Sequence, residues 1–197
     1  MISAVILASG FALRMEQEKL LLPIDGIPMI QKVAQSVAAS HVDETILIYR
    51  RKEVKAAVER YVDRTVYNSG AHDGQSEAIR LGIRSIHPKS SACLFIMGDQ
   101  PLIQAEMINT LIESAVNAPG KIVVPLYGNL PGSPVLFPNT FWPELMQLRG
   151  DEGGRKVIRA HPELVVQMAV AMETAGLDAD TWEEYQELLK KSEEWNR

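Results

Sequence analysis

The chain has 197 residues, 46% of them apolar and 23% charged, which is the balance of a soluble globular protein and a length that fits one domain spanning 1–197. A formal net charge of −5 excludes a general nucleic-acid binder, which needs a basic face to displace counterions. A single cysteine excludes a disulfide framework within the chain.

The opening "MISAVILASG" carries no basic leader and too short an apolar run for a signal or a membrane span, so a cytoplasmic protein with no membrane partner is predicted. Short apolar runs follow one another at 4–8, 45–50, 64–68, 92–97, 121–126 and 165–170. Between them, "IPMIQKVAQSVAAS", "KEVKAAVERYV", "GQSEAIRLGIRSI", "AEMINTLIESAVNA" and "PNTFWPELMQLRG" repeat apolar residues every three or four positions, the period of a helix. Strands buried on both faces and separated by helices predict an α/β protein with a mainly parallel sheet between two helical layers. Pro and Gly punctuate 125–155, which reads as an irregular insertion over the rim of the sheet. Cys93, inside "ACLFIM", reads as a core thiol, and histidines 41, 72, 87 and 161 lack metal-site spacing.

In such a sheet, ligands bind beyond the carboxyl ends of the strands, so the polar stretches directly after them carry the functional information. After the first strand, Ala8-Ser9-Gly10 leads to Arg14 and Lys19 in "LASGFALRMEQEKLLL". Small residues there let backbone N–H groups face an anion, and the two cations can neutralise further phosphates; a plain strand–helix connection is the competing reading. After the third run, "NSGAHDGQSEAIRLGI" places Gly74 and Ser76 at a helix start, where Ser76 is either the N-cap or part of a ligand-facing turn. After the fourth, Gly98-Asp99-Gln100-Pro101 puts a carboxylate at the strand's edge, suited to Mg²⁺ or to shaping a turn. In "LDADTWEEY", Asp178 and Asp180 precede a helical stretch; one of them is either an N-cap, with Thr181 and Glu184 in a capping box, or a second Mg²⁺ carboxylate beside Asp99.

Taken in order, these stretches, with "GSPVLF" and "GDEGGR", resemble the molybdenum cofactor cytidylyltransferases, within the wider guanylyl/cytidylyltransferase-like group. That family's pattern runs L-A-A-G-x-S-x-R-M-G-x-x-K-L-L-L, N-x(5)-G-x-S-x-S-x-x-x-G, G-D-Q-P, G-x-P-x-L-F, G-D-x-G-x-R and D-x-D-T-x-E, and the likeness spans 4 to about 189. The resemblance implies a Rossmann-like, three-layer α/β/α sandwich of the nucleotide-diphospho-sugar transferase type. It implies transfer of CMP from CTP to the terminal phosphate of molybdenum cofactor (molybdopterin), with release of pyrophosphate and with Mg²⁺ as cofactor.

Carried onto this chain, it implies that Ala8, Ser9 and Gly10 meet the nucleotide. Arg14 and Lys19 would contact its triphosphate and, with Asp99, form the catalytic set. Gly74 and Ser76 would lie against the nucleoside, and Asp99 and Asp180 would hold Mg²⁺. Gly132, Ser133 and Pro134, with Gly150, Asp151 and Arg155, would receive the pterin phosphate.

Ser9, Ala12, Glu16 and Ala78 depart from the pattern, and a carboxylate at Glu16 must turn away from the triphosphate, pair with a cation such as Arg14, or reduce nucleotide binding. Two other readings therefore stand beside the first. One keeps the fold with another NTP or phosphate acceptor; the other is a non-catalytic cofactor-binding chaperone for a molybdenum hydroxylase.

Overall fold

The computed structural model describes residues 1–11 and 17–195. The first strand, β1 (Ile2–Ala8), is buried along nearly its whole length, and successive side chains leave it on opposite faces. Ala4, Ile6 and Ala8 join one apolar layer and Val5 and Leu7 the other. β4 (Glu44–Tyr49) and β6 (Ala92–Met97) flank it in parallel, and β5 (Arg64–Tyr67) continues the sheet beyond β4. A short hairpin, β2 (Pro23–Ile24) and β3 (Ile27–Pro28), stands apart from this sheet.

On the other side come β9 (Val135–Pro138), β7 (Ile122–Tyr127) and β10 (Val165–Val170), giving the order β10-β7-β9-β6-β1-β4-β5. Only β9 runs against its neighbours in this series, and the two-residue β8 (Leu130–Pro131) pairs antiparallel with β7. The sheet is mixed and mostly parallel, as the apolar runs predict.

The expectation of an irregular insertion at the rim is corrected by β9. Instead of lying over the edge, the 135–138 segment enters the sheet between β6 and β7, with Leu136 and Phe137 buried. Its register, Cys93 opposite Phe137 and Val123 opposite Leu136, is set by partners distant in sequence, and prolines at both sides hide the strand signal.

Helices cover both faces. Against the first layer lie α1 (Met29–Ala38), α2 (Lys52–Val58) and α4 (Ala105–Asn117); α1 buries Met29, Ile30, Val33, Ala34 and Val37, one stripe at helical spacing. Against the second lie α3 (Gln75–Ser85), the short α5 (Trp142–Leu145) and α6 (Arg155–Ala160). The last helix, α7 (Trp182–Trp195), packs Tyr185 and Leu188 onto Ile24, Met29 and Leu102.

Cys93 is fully buried, and burial, with the Glu44 charge beside it, pushes its thiol pKa far up, so it is a core residue and no nucleophile. No helix among the described residues is long and apolar enough to cross a membrane.

The chain leaves β1 toward β4 and β5, then returns to place β6 on β1's other side. Strand order thus reverses between β1 and β6, and the loops leaving their carboxyl ends frame a crevice.

Candidate active site at the β1–β6 switch point

Two polar loops meet at this crevice. From β1, Ala8 and Ser9 are buried and Gly10 is exposed. Ser9 Oγ accepts a hydrogen bond from Asn68 Nδ2 at 2.9 Å, and the Asn68 amide donates to the Tyr49 carbonyl at 2.7 Å, so the loop is fastened across β4 to the end of β5. Arg14, Ala12 and Glu16 lie outside the described residues. Both described flanks of that stretch are gripped by Arg50, whose guanidinium lies 4.4 Å from the Phe11 ring centroid and 3.5 Å from Glu18. The Phe11 ring also packs against His72 at 4.8 Å.

The loop from β6 explains its glycine. A Cβ on Gly98 would stand 2.8 Å from Ile30 Cδ1 and 3.1 Å from the Leu7 carbonyl oxygen, which accepts the Gly98 N–H at 3.0 Å. Only glycine lets β6 cross so close to β1, and the next residue, Asp99, is thereby set over the crevice.

Lys19 reaches the same point from the other loop. Its Nζ donates to Asp99 Oδ2 and to Asp180 Oδ1, each at 2.6 Å, so residues 80 and 161 positions apart share one ammonium. Burial by itself would lower the Lys19 pKa, but the charges and hydrogen bonds of Asp99 and Asp180 outweigh it and hold the pKa above the ordinary lysine value. Asp99 is only 8% exposed, and its other oxygen, Oδ1, is buried with no hydrogen-bond partner among the described residues. An unpaired buried carboxylate oxygen is costly unless a ligand takes it up.

The C-terminal segment arrives by two fastenings. Gln100 Nε2 donates to the Gly176 carbonyl at 2.9 Å, and Tyr127 lies flat where a Cβ on Gly176 or on Gly132 would sit, 2.6 Å away in both cases. The expected capping box then forms. Glu184 Oε2 accepts from the amides of Asp180 and Thr181 at 2.7 and 2.8 Å, while Thr181 Oγ1 accepts from the Glu184 amide at 3.2 Å. The reading of Asp178 or Asp180 as the N-cap is thereby corrected: Thr181 is the cap, and the Asp180 carboxylate faces Lys19. Asp178 stands nearby without joining that bridge; burial first, then the charges of Asp99 and Asp180, push its carboxyl pKa up, with Lys19 pulling against them.

Asp99 and Asp180 present hard oxygens to one point, and Asp99 keeps a second oxygen unused, which is the chemistry Mg²⁺ takes. No cluster of three or more His, Cys, Asp or Glu able to hold a metal occurs among the described residues. The pair therefore fits a metal that draws its remaining ligands from substrate phosphates and water, the usual Mg²⁺ arrangement.

A second group sits beside the first. Gly74, at φ +82°, packs so tightly that a Cβ would come 2.4 Å from the Gly150 carbonyl. Ser76 donates its amide to that carbonyl at 3.1 Å. The N-cap reading of Ser76 is corrected: Gly74 occupies the cap position, and Ser76 lies inside α3, fully buried, its Oγ accepting from Arg80 Nη1 at 3.3 Å. Arg80 also donates to the Leu148 carbonyl and pairs with Glu77. A cavity of about 340 Å³ opens here between His72, Gly74, Arg80, Arg149, Gly150 and Asp151. Arg155, the first residue of α6, is exposed.

Gly132, Ser133 and Pro134 stand at the end of β6, where Ser133 Oγ accepts the Met97 amide at 3.4 Å and the Tyr127 hydroxyl donates to the Ser133 carbonyl at 2.5 Å. Burial pushes the Tyr127 phenol pKa well up, so it stays protonated as a donor.

The structure thus brings Ala8, Ser9, Gly10, Lys19, Asp99 and Asp180 to one crevice and Gly74, Ser76, Gly150 and Asp151 to a second contact. Asn68, Gln100 and Tyr127 had no role assigned from sequence. Asn68 and Gln100 do fall inside the quoted motifs; Tyr127 gives no sequence signal.

A family model described as "MobA-like NTP transferase domain" matches residues 4–165. The chain belongs to this family. It is accordingly a nucleotidyltransferase of the MobA-like type. "Purine catabolism protein PucB" of Bacillus subtilis (strain 168) is 24% identical over 92% of both chains. "Nicotine blue oxidoreductase" of Paenarthrobacter nicotinovorans is 25% identical over 95% of this chain and 96% of its own. The crystal structure of Rv0371c from Mycobacterium tuberculosis H37Rv in complex with manganese superposes with a TM-score of 0.81, at 26% identity over 96% of this chain and 98% of that one. The matched family region ends before Gly176 and Asp180, although the MobA-like fold here folds them back onto the crevice.

Proposed function

We propose that this MobA-like protein transfers CMP from CTP to the terminal phosphate of molybdenum cofactor and releases pyrophosphate. The observation that carries the reading is the convergence of Lys19, Asp99 and Asp180 at the switch point of a family fold built for NTP transfer. In this reading an oxygen of the pterin's terminal phosphate attacks the α-phosphorus of CTP. The new P–O bond forms in line with the breaking bond to the β-phosphate, whose oxygen leaves with pyrophosphate. Such a displacement needs positioning and charge neutralisation and no covalent nucleophile.

Lys19 and Arg14 supply positive charge along the triphosphate, and the backbone at Ala8, Ser9 and Gly10 lies against the nucleotide. Asp99 and Asp180 would hold Mg²⁺, whose contribution is to neutralise phosphate oxygens and fix their orientation. A manganese-bound relative with the same fold supports a divalent metal of this kind. Gly74 and Ser76 shape the nucleoside side through their backbone, since the Ser76 side chain is buried. Gly132, Ser133, Pro134, Asp151 and Arg155 belong to the acceptor side, next to the cavity at Gly150. The whole chain acts as one cytoplasmic domain and hands its product to a molybdenum hydroxylase.

Ala78 weakens the case for a chaperone without catalysis. It lies on the buried, core-facing side of α3, so the hydroxyl that the family pattern would place there is not missing from a ligand-facing surface. Offering CTP, GTP, ATP and UTP with Mg²⁺ and molybdopterin, and following pyrophosphate, tests the proposal. Release with CTP supports it and release with another NTP revises the base. Release with none refutes it and leaves the fold to another chemistry, such as the redox activity in the Paenarthrobacter relative's name. A Glu16→Gly variant should then change CTP affinity by less than about threefold, since a loop disabled by that carboxylate would instead gain about a hundredfold.

A further inference from the structure

We infer that Lys19 is a resident counter-ion in the metal's own place, so that the divalent metal gains Asp99 and Asp180 only together with a triphosphate that takes the lysine away. This rests on the nucleotidyltransferase reading of the same site. The Lys19 ammonium lies 2.6 Å from one oxygen of each carboxylate, so it occupies the space between those two oxygens. A divalent ion held by both carboxylates, with ligand distances of about 2.1 Å, would have to draw them in around that same space. Two cations cannot share it. The Lys19 side chain is only 13% exposed there, and it is drawn in by both carboxylates at once.

Lys19 is able to leave. It opens a short 3₁₀ turn, Lys19–Leu21, anchored by buried Leu20, so its backbone stays while four flexible methylenes let the ammonium swing. The buried Asp99 Oδ1, without a partner among the described residues, is a ligand position that the lysine does not satisfy and that a metal can. A triphosphate resolves the competition. It offers new acceptors to Lys19 while adding phosphate oxygens to the metal's shell, so lysine and metal exchange places around the substrate. Metal alone must instead push an ammonium out of a nearly closed ion pair, and it binds weakly.

The test measures Mn²⁺ binding by electron paramagnetic resonance, first without nucleotide. Lys19→Gln should bind Mn²⁺ about tenfold or more tightly than wild type, and Lys19→Arg, which keeps the charge, should match wild type. Adding Asp99→Asn to Lys19→Gln should abolish the gain. With CTP present the order should invert, wild type binding Mn²⁺ more tightly than Lys19→Gln. Lys19→Met gives a second neutral side chain, and the melting temperature of each variant is read alongside. Equal or weaker Mn²⁺ binding by the neutral variants without nucleotide would overturn the inference, as would a gain that survives Asp99→Asn. Pyrophosphate release by the wild-type protein is scored separately: its failure strikes the proposed reaction, while the Mn²⁺ comparison still decides the exchange.

Discussion

Replacing Asp99 by Asn keeps the side chain's shape and removes its charge, and the consequences for stability and for catalysis separate. In the fold, Lys19 loses a partner at 2.6 Å in a place where the two side chains are 13% and 11% exposed. Breaking a buried pair by deleting one charge costs about 3–5 kcal/mol when the other is left alone. Here it is not alone, because Asp180 stays at 2.6 Å, although its side chain is 54% exposed and the contact correspondingly screened. Removing the Asp99 charge also relieves Asp178, whose pKa it helps to raise. The net loss should be about 1–2 kcal/mol, or roughly 3–6 °C in melting temperature for a chain of this size. In the proposed reaction the same change would remove one of the two carboxylates assigned to the metal and with it the charge balance at the triphosphate, a loss of about 10²–10³-fold in turnover. The assay is pyrophosphate release at saturating metal and NTP, set beside thermal melting. Turnover within about threefold of wild type would refute the role given to Asp99. A melting loss far above 6 °C would instead show that the residue's main work is structural.

Gly74→Ala places a side chain at φ +82° and ψ −171°, a region that costs a non-glycine residue about 1–3 kcal/mol, and drives its Cβ into the Gly150 backbone. A fall in melting temperature of about 5 °C or more with weaker NTP binding is expected, and an unchanged melt would contradict the packing described. Asp178 has a folded pKa raised above its ordinary 3.8, so its ionisation works against folding: its contribution is fully favourable below that value and is lost as pH rises through the folded pKa. Asp178→Asn should therefore melt higher than wild type at pH 7, with the difference vanishing below about pH 3.8 in thermal melts across pH. Gly176→Ala sets a methyl 2.6 Å from the Tyr127 ring, which Gly132 crowds equally, so the ring has little room to yield. The 176–180 segment should shift, and the KM for metal-bound NTP should rise several-fold with kcat less affected; an unchanged KM would argue that this segment does not position Asp180.

What could be read from the sequence follows from where each element finds its partners. β1, β4 and β6 are buried on both faces and announce themselves as unbroken apolar runs, and a parallel arrangement then directs attention to the residues just beyond them. That reasoning points to Lys19 and Asp99 without any contact being known, whereas Asp180 is singled out only by the stretch ahead of the last helix and by the family resemblance. β9 escaped it because three residues between Pro134 and Pro138 become a strand only by pairing with β6 and β7. Ser76 misled for the same kind of reason: its sequence position suits a cap, but the Gly150 carbonyl, far along the chain, takes its amide, and Gly74 becomes the cap. The choice between Asp178 and Asp180 is not encoded in their spacing. It is made by Glu184, which takes the amides of residues 180 and 181, fixes Thr181 as the cap and so turns one of the two carboxylates toward Lys19.

The same contacts explain how a site can depend on residues beyond the family-matched region. Gly176 is touched from two directions, by Gln100 from the β6 loop and by the Tyr127 ring from the end of β7. Four residues later the chain delivers Asp180 to Lys19, and α7 then locks the arrangement by burying Tyr185 and Leu188 against the hairpin at 23–28. Tyr185 adds a hydrogen bond from its hydroxyl to the Pro23 carbonyl at 2.7 Å, just past the Lys19 turn. One carboxylate of the pair is set just past the end of a central strand. The other is held by a glycine crossing, a capping box and a terminal helix, none of which belongs to the sheet. Substitutions in the 176–185 segment should therefore disturb the placement of Asp180 while leaving that of Asp99 on the β6 loop unchanged.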